Sequence, residues 1–169
     1  MTPAPVCYRI WPSRISTLTH MNEVQFQYQP AGLGKRLMAI IYDLLLLAAV
    51  LFIADIFPTL LHGGAIDRET DGWLLYGLHQ LYLLLVAYGF FGWFWVHGGQ
   101  TLGMKTWRLK LCSDDGGNIS WQQAALRFVM ALVSWMLLGL GFIWSLIDDR
   151  KRTWHDRASA TLLIQLAKK

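Results

Sequence analysis

The feature that most constrains how this chain folds is an apolar run, residues 35–57, that holds the acidic residue Asp43 in its first half. As an α-helix rising about 1.5 Å per residue, the run would be about 34 Å long, enough to cross the roughly 30 Å hydrocarbon core of a bilayer. Since a carboxylate about 12 Å inside costs about 2.5–3.5 kcal/mol to insert, Asp43 is a candidate functional residue that needs a partner. Arg36 lies close to two helical turns earlier, on nearly the same face. The run therefore predicts a transmembrane helix with one polar face.

The composition of the whole chain also indicates a membrane protein. Of its 169 residues, 54% are hydrophobic and 15% are charged, and the mean hydropathy is +0.34, whereas soluble domains carry about 25% charged residues. The length predicts one membrane domain, residues 30–167, after a flexible N-terminal tail, residues 1–29. Either Met1 or Met21 is a candidate start of translation. Because the basic residues gather beside apolar runs and form no known motif, we expect no nucleic-acid partner.

A second apolar run, residues 73–96, has tryptophan near both ends, as interfacial aromatic belts do. It contains His79, for which two interpretations remain: a hydrogen bond between helices, or a proton-carrying imidazole that faces Asp43 or Asp55. The connection between the runs is mainly acidic, whereas basic residues precede the first run. The positive-inside rule therefore predicts a cytoplasmic N-terminus and places Asp55 near the outer interface.

The third apolar run, residues 124–147, allows two topologies. A single span would put the most basic segment, from residue 148 onward, outside the cell, against the positive-inside rule. A hairpin that turns at residues 139–141 would return it to the cytoplasm, with a second arm too short to cross the membrane. The hairpin also lets an alternating strand at 106–112 pair with residues 160–166.

These patterns together predict the fold class. We expect an all-α membrane protein with two transmembrane helices and a third apolar segment that forms a re-entrant or helical hairpin. A small cytoplasmic β pairing joins the segment after the second helix to the C-terminal segment. The lipid bilayer is then the first expected partner of the chain.

Three stretches carry a family resemblance. They are KRLMAIIYD with Arg36 and Asp43, GGQTLGMKTWRLKL after the second run, and KRTWHDRASATLLI near the C-terminus. In this order, over residues 30–166, they resemble the RDD family of small membrane proteins. The resemblance implies that the family's arginine is Arg36, its first aspartate Asp43 and its second Asp156. It also implies a transport role as one expectation, since cation/proton antiport is proposed for some members.

Two pairings of Arg36 follow from this set. Arg36 either neutralises Asp43, which would make the three residues structural, or binds Asp156 and leaves Asp43 protonated or free to take a cation. His155, next to Asp156, has no nucleophile in its motif and is interpreted as part of a basic anchor.

Two classes of function are therefore expected. The first is a transporter that exchanges protons for a small monovalent cation, with Asp43 as the coupling carboxylate and His79 as a relay, in a homo-oligomer within the bacterial plasma (inner) membrane. The second is a non-catalytic membrane scaffold or accessory subunit in which Arg36, Asp43 and Asp156 only fix the helices. Because the sequence has no nucleophile elbow, phosphate loop or zinc-ligand spacing, we expect no enzyme activity, metal or cofactor.

Overall fold

A computed structural model describes residues 29–137, 139–148 and 152–166, so most of the predicted tail, residues 1–28, lies outside the described residues. The elements in chain order are β1 (Gln29–Pro30), α1 (Leu33–His62), α2 (Arg68–Gly98), α3 (Leu102–Thr106), β2 (Leu109–Ser113), α4 (Trp121–Met136), α5 (Leu140–Ile143), α6 (Trp154–Ala158) and β3 (Thr161–Gln165). A short 3-10 helix, Trp144–Leu146, follows α5 directly.

Helices α1 and α2 are long and apolar enough to cross a membrane. The first is longer than predicted, because it continues past Pro58 to His62. Pro58 cannot donate to the carbonyl of Ala54, but the Tyr82 hydroxyl on α2 donates to that oxygen at 3.2 Å. In α2, Gly72 has a non-helical φ of 77°, so the long regular part begins at the next residue, as predicted.

Burial in α1 is the reverse of burial in a soluble bundle. Its buried residues are Arg36, Ala39 and Asp43, whereas Leu45 and Phe52 are 68% and 70% exposed. Apolar side chains can face lipid, while polar side chains must be satisfied inside the protein. One polar stripe of α1 therefore faces the rest of the molecule, as the spacing of Arg36 and Asp43 predicts.

The third apolar segment is bent, as the hairpin prediction requires. Helix α4 begins with a capping box between Ser120 and Gln123. The following segment, Leu140–Leu146, is bent from it by 116°, and the two pieces together are a third candidate span. Gly139 lies at the break with a φ of 78°, in the left-handed region where glycine has no Cβ to clash.

The predicted strand pairing is present and includes one more strand. β3 is central, with β1 and β2 antiparallel on either side, and Leu111 lies opposite Leu163. β2 begins at Leu109, later than predicted, because the preceding residues form α3 under a Thr101 cap. Arg108, with a φ of 54°, then turns the chain into the strand.

We call α3, β2, α6 and β3 together the cap. These elements pack on one another and on the beginning of α1 and α4. Leu109, Leu111 and Leu163 from the cap share one apolar cluster with Ala39 and Phe128 from the long helices. The cap therefore covers the end of the bundle at which Arg36 lies.

Candidate functional site

Asp156 lies between two arginines that come from different helices. Arg36 on α1 donates from Nη1 to Oδ2 at 2.6 Å, and Arg127 on α4 donates from Nη1 to Oδ1 at 2.5 Å. The three side chains are at most 4% exposed. Hydrogen bonds between ionised groups are stronger than neutral ones, and more so where water is excluded. Arg36, Arg127 and Asp156, which we call the Arg36 cluster, therefore join α1, α4 and α6.

The local sequence places Asp156 in the first turn of α6. The Thr153 hydroxyl accepts from the Asp156 N–H at 3.3 Å, while Asp156 Oδ2 accepts from the Thr153 N–H at 3.0 Å, which is a capping box. Burial by itself would raise the pKa of Asp156, but the guanidinium groups of Arg127 and Arg36 outweigh it and hold that pKa well below its usual range. Asp156 is therefore ionised at neutral pH.

Sequence reasoning missed Arg127. Besides Asp156, it binds the Thr161 hydroxyl at 2.8 Å, and its guanidinium carbon lies 5.4 Å from the centroid of the Trp95 ring, within cation–π range. A signal was present, because Arg127 is the only Lys, Arg, Asp or Glu in the apolar run 124–147. The rule that singled out Asp43, that a charge inside a membrane segment needs a partner, applies to it equally.

Asp43 is bound by neutral donors rather than by Arg36. Its Oδ2 accepts from the Thr101 hydroxyl at 2.5 Å, and its Oδ1 accepts from the Gly103 backbone N–H at 2.9 Å. Thr101 also caps α3, because its hydroxyl oxygen accepts from the Met104 N–H at 3.2 Å. Of the two predicted pairings of Arg36, the structure therefore has the one with Asp156, and the pairing with Asp43 is wrong.

Gly103 lets α3 lie directly on α1. A Cβ at this position would overlap the Ala39 carbonyl oxygen and lie 2.9 Å from the carboxylate carbon of Asp43. The absence of a side chain is therefore what allows this backbone approach. The GGQTLGMKT stretch, which runs from the end of α2 through α3, thus docks the cap on α1, a role that its sequence alone did not indicate.

His155 is buried, so the prediction that it belongs to a basic anchor is wrong. It is 5% exposed, its Nε2 lies 3.9 Å from Asp156 Oδ1, and its ring meets that of Phe142 edge-on at 4.8 Å between centroids. Burial, and then the positive charge of Arg127, lower the pKa of His155 to about 3. The imidazole is therefore neutral at pH 7.

A second polar contact joins the two long helices. His79 Nε2 on α2 lies 2.7 Å from Asp55 Oδ1 on α1, with side-chain exposures of 11% and 43%. Of the two aspartates that His79 was predicted to face, it therefore faces Asp55. Asp55 is about 18 Å farther along α1 than Asp43, so this contact is separate from the Arg36 cluster.

A cavity of about 330 Å³ lies between α1, α2 and α4, beneath the cap. Its polar end is bordered by Arg36, Asp43, Thr101, Arg127 and His155, and most of the remaining lining is apolar. Within the described ranges 29–137, 139–148 and 152–166, no three His, Cys, Asp or Glu side chains form a group that could hold a metal ion.

The comparisons with known proteins identify the family. No curated protein and no solved structure matches this chain. A family model described as the RDD family matches residues 30–160, a range that contains Arg36, Asp43, Arg127 and Asp156. The resemblance drawn from the three sequence stretches is thereby confirmed. Because the match covers more than half of the chain, this membrane protein belongs to the RDD family.

Proposed function

We propose that this protein is a non-catalytic membrane scaffold or accessory subunit in which Arg36, Asp43 and Asp156 fasten the cap to the membrane helices. The observation that carries the proposal is that all four carboxylate oxygens of Asp43 and Asp156 accept hydrogen bonds from protein donors. These donors lie on elements other than the one that carries each aspartate. A carboxylate that carries a cation instead needs an oxygen that the ion can reach and leave.

The lining of the cavity supports the same proposal. Asp43 borders it, but Leu47, Leu84 and Phe91 line its walls farther from the cap. A monovalent cation on this route would lose its hydration shell without meeting oxygen ligands to replace it. The region next to Asp43 therefore fits an apolar occupant better than a hydrated ion.

Exchange of protons for a small monovalent cation is the second candidate, and one observation favours it. The imidazole of His79 contacts the carboxylate of Asp55 between two membrane-spanning helices. Such a pair can bind and release a proton. In this alternative, His79 and Asp55 bind the proton, and the Asp43 contacts hold the cap in place.

We place the chain in the bacterial plasma (inner) membrane, with its N-terminus and cap in the cytoplasm. Exposed basic residues on the cap, Lys105 and Arg157, and the acidic residues Asp67 and Glu69 at the other end of α2 support this orientation by the positive-inside rule. We also propose a homo-oligomer, because a second copy would cover the half-exposed carboxylate of Asp55.

Purified protein in liposomes, with a pH-sensitive dye inside and sodium, potassium or lithium added outside, separates the two candidates. The scaffold predicts that the wild type gives no more cation-dependent pH change than protein-free liposomes. It also predicts that Asp43→Asn lowers the melting temperature, because the amide would turn an N–H toward the Thr101 or Gly103 donor.

The control is Glu69→Gln, the same acid-to-amide change at an exposed position in the first turn of α2, which should melt near the wild type. A cation-driven pH change in the wild type that disappears in a folded His79→Asn variant would overturn the scaffold and leave transport as the function.

A further inference from the structure

The cavity beneath the cap is closed at its back and at its top. Helix α2 packs against both α1 and α4, while α3 packs on α1 and α6 packs on α4. The lining residues on these sides are almost fully buried. Ala39, Ala87 and Phe128 of the long helices are 3%, 8% and 9% exposed, and Leu109 and Leu163 of the cap are 0% and 3% exposed. We call these five the inner residues of the cavity.

The side between α1 and α4 is open. Its lining residues are Leu44 on α1 and Leu132 and Trp135 on α4, which are 40%, 37% and 54% exposed. Because the inner residues border the same cavity and stay at 9% or less, this greater exposure is toward the outside of the bundle. The cavity is therefore a cleft with an apolar mouth between α1 and α4.

The mouth opens onto the hydrocarbon of the bilayer. Leu44 lies within the first candidate membrane span, and Trp135 lies in the bent pair that forms the third. The next residue on α1, Leu45, is 68% exposed, so the lipid-facing surface of α1 continues directly into the mouth. Whatever enters the cleft from this side therefore comes from within the membrane.

Polar occupants fit this cleft poorly. Water beside its apolar walls would lack hydrogen-bond partners. A charged or zwitterionic head group that passed the mouth would lose its hydration without equivalent contacts inside, and the buried leucines of the cap close the top. At the polar end, both arginines are bound to Asp156. The occupant is therefore apolar along the part that enters.

The size of the cleft distinguishes between apolar occupants. Its volume of about 330 Å³ is that of a small-molecule site. One turn of an α-helix, about 10–12 Å across and 5.4 Å high, fills roughly 400–600 Å³. The cleft is thus too small for a helix of a second copy. Its lining extends from Ala39 to Leu47, about 12 Å along α1, so it is suited to a narrow, flexible chain.

We propose that the cleft binds one acyl chain of a bilayer phospholipid. The chain enters between Leu44 and Trp135 and packs on Ala87 and Phe128, while its head group stays at the membrane surface. Its contacts are van der Waals contacts on several sides, whereas a lipid on the outer surface of α1 is contacted on one. The proposal goes beyond the proposed function and holds for a scaffold and a transporter alike.

Photolabelling in lipid nanodiscs tests the proposal. The two probes are phosphatidylcholines that carry a photoreactive diazirine, one in the middle of an acyl chain and the other on the head group. Labelled residues are mapped by mass spectrometry. We expect the chain probe to label Ala87 and Phe128, which are almost completely shielded from the outer surface. The head-group probe should label neither residue.

Two alanine-to-phenylalanine variants form a matched pair. Ala131 lines the cleft, so Ala131→Phe should fill it with a ring and lower the labelling of Ala87 and Phe128 by about tenfold. Ala49→Phe makes the same change at an exposed position of α1 outside the lining and should be labelled like the wild type. Melting temperatures in the nanodiscs show whether both variants are folded.

Several outcomes would overturn the proposal. They are no chain-probe labelling of Ala87 and Phe128, undiminished labelling in a folded Ala131→Phe variant, and labelling of the two residues by the head-group probe. Labelling only in nanodiscs that hold a single copy would assign the cleft to a second copy. Labelling about tenfold stronger with a diazirine fatty acid would assign it to a free fatty acid. If Ala131→Phe does not fold, the two probes on the wild type decide.

Discussion

At the scale of single residues, the charge of Asp156 holds the cap in place. One buried carboxylate receives hydrogen bonds from Arg36 and Arg127 and from the Thr153 N–H. Removing one member of a buried ion pair costs about 3–5 kcal/mol, because it leaves the partner's charge uncompensated. Which member is removed therefore determines the cost.

The first prediction compares the two sides of this cluster. Asp156→Asn leaves two arginines beside a neutral side chain and should lower the free energy of unfolding by about 3–5 kcal/mol. Arg127→Met leaves Arg36 paired with Asp156 and should cost at least about 1 kcal/mol less. Denaturant unfolding in detergent micelles measures both.

Glu69→Gln, an exposed residue in the first turn of α2, is the control for that comparison and should stay within about 0.5 kcal/mol of the wild type. An Arg127→Met variant as unstable as Asp156→Asn would contradict the charge argument.

The second prediction concerns pH. The pKa of His155 is lowered from 6.5 to about 3 on folding, so between these values the unfolded chain binds a proton that the folded chain does not. His155 therefore leaves the unfolding free energy unchanged above about pH 6.5. Below that pH it lowers the unfolding free energy as the pH drops, by up to about 1.4 kcal/mol per pH unit. Asp156, whose pKa is also lowered, loses its contribution only below about pH 4.

Replacing His155 by phenylalanine, which keeps a ring against Phe142, should flatten the dependence of unfolding free energy on pH between 6.5 and 4.5. Unfolding series at several pH values compare the variant with the wild type. Equal slopes in the two proteins would show that His155 is not the group responsible.

At the scale of elements, the stretch between α2 and β2, which includes α3, is fixed by one close backbone approach to α1 and another to the sheet. Gly103 lies on α1 next to Asp43. Gly99, with a φ of 64°, accepts from the Leu111 N–H at 2.7 Å through its carbonyl. A Cβ at Gly99 would lie against the carbonyl oxygen of Leu111. One short loop thus joins α1 to the sheet.

The third prediction tests this loop. Gly103→Ala would press a methyl group into the Ala39 carbonyl and the Asp43 carboxylate, and should cost about 1–3 kcal/mol, as overpacking does. Gly77→Ala is the control: it lies within α2, where an added Cβ would meet no neighbouring atom within 4 Å, so it should be neutral or stabilising by up to about 1 kcal/mol. Melting temperatures in detergent compare the two, and equal effects would mean that the close approach is unimportant.

At the scale of the whole molecule, most buried polar groups cluster at one end, and apolar side chains face outward along the length. The Arg36 cluster, the cap and the polar end of the cavity are all on the side where α1 begins. The connection between α1 and α2 lies at the opposite end of both helices. This asymmetry makes the orientation of the chain measurable.

The fourth prediction concerns that orientation. Cysteines introduced at the exposed positions Lys105 and Arg157 on the cap should react with an impermeant maleimide only after cells are opened. A cysteine at Ala65, in the connection between α1 and α2, should react in intact cells, because the positive-inside rule puts that connection outside. Labelling of the chain without an introduced cysteine is measured as the background. Labelling of a cysteine at the Arg157 position in intact cells would place the cap outside.

Several parts of the fold could be predicted because they depend on local patterns. The two long helices follow from the length of their apolar runs, and the shared face of Arg36 and Asp43 follows from the 3.6-residue repeat of an α-helix. The turn at Gly139 and the pairing of β2 with β3 follow from charge and alternation along the chain. These features are encoded within stretches of sequence that fold with their own backbone hydrogen bonds.

The partners of the charged side chains depended on tertiary structure. Arg36 and Asp43 share a face, yet Arg36 binds an aspartate 120 positions away, and Asp43 binds a loop that follows the next helix. Arg127 also binds Asp156, although no sequence pattern near Arg127 indicates this partner. Sequence determined which residues share one face of an element, because helix and strand periodicity is local. Packing determined which faces meet, because a buried charge takes the partner that the docked elements bring to it.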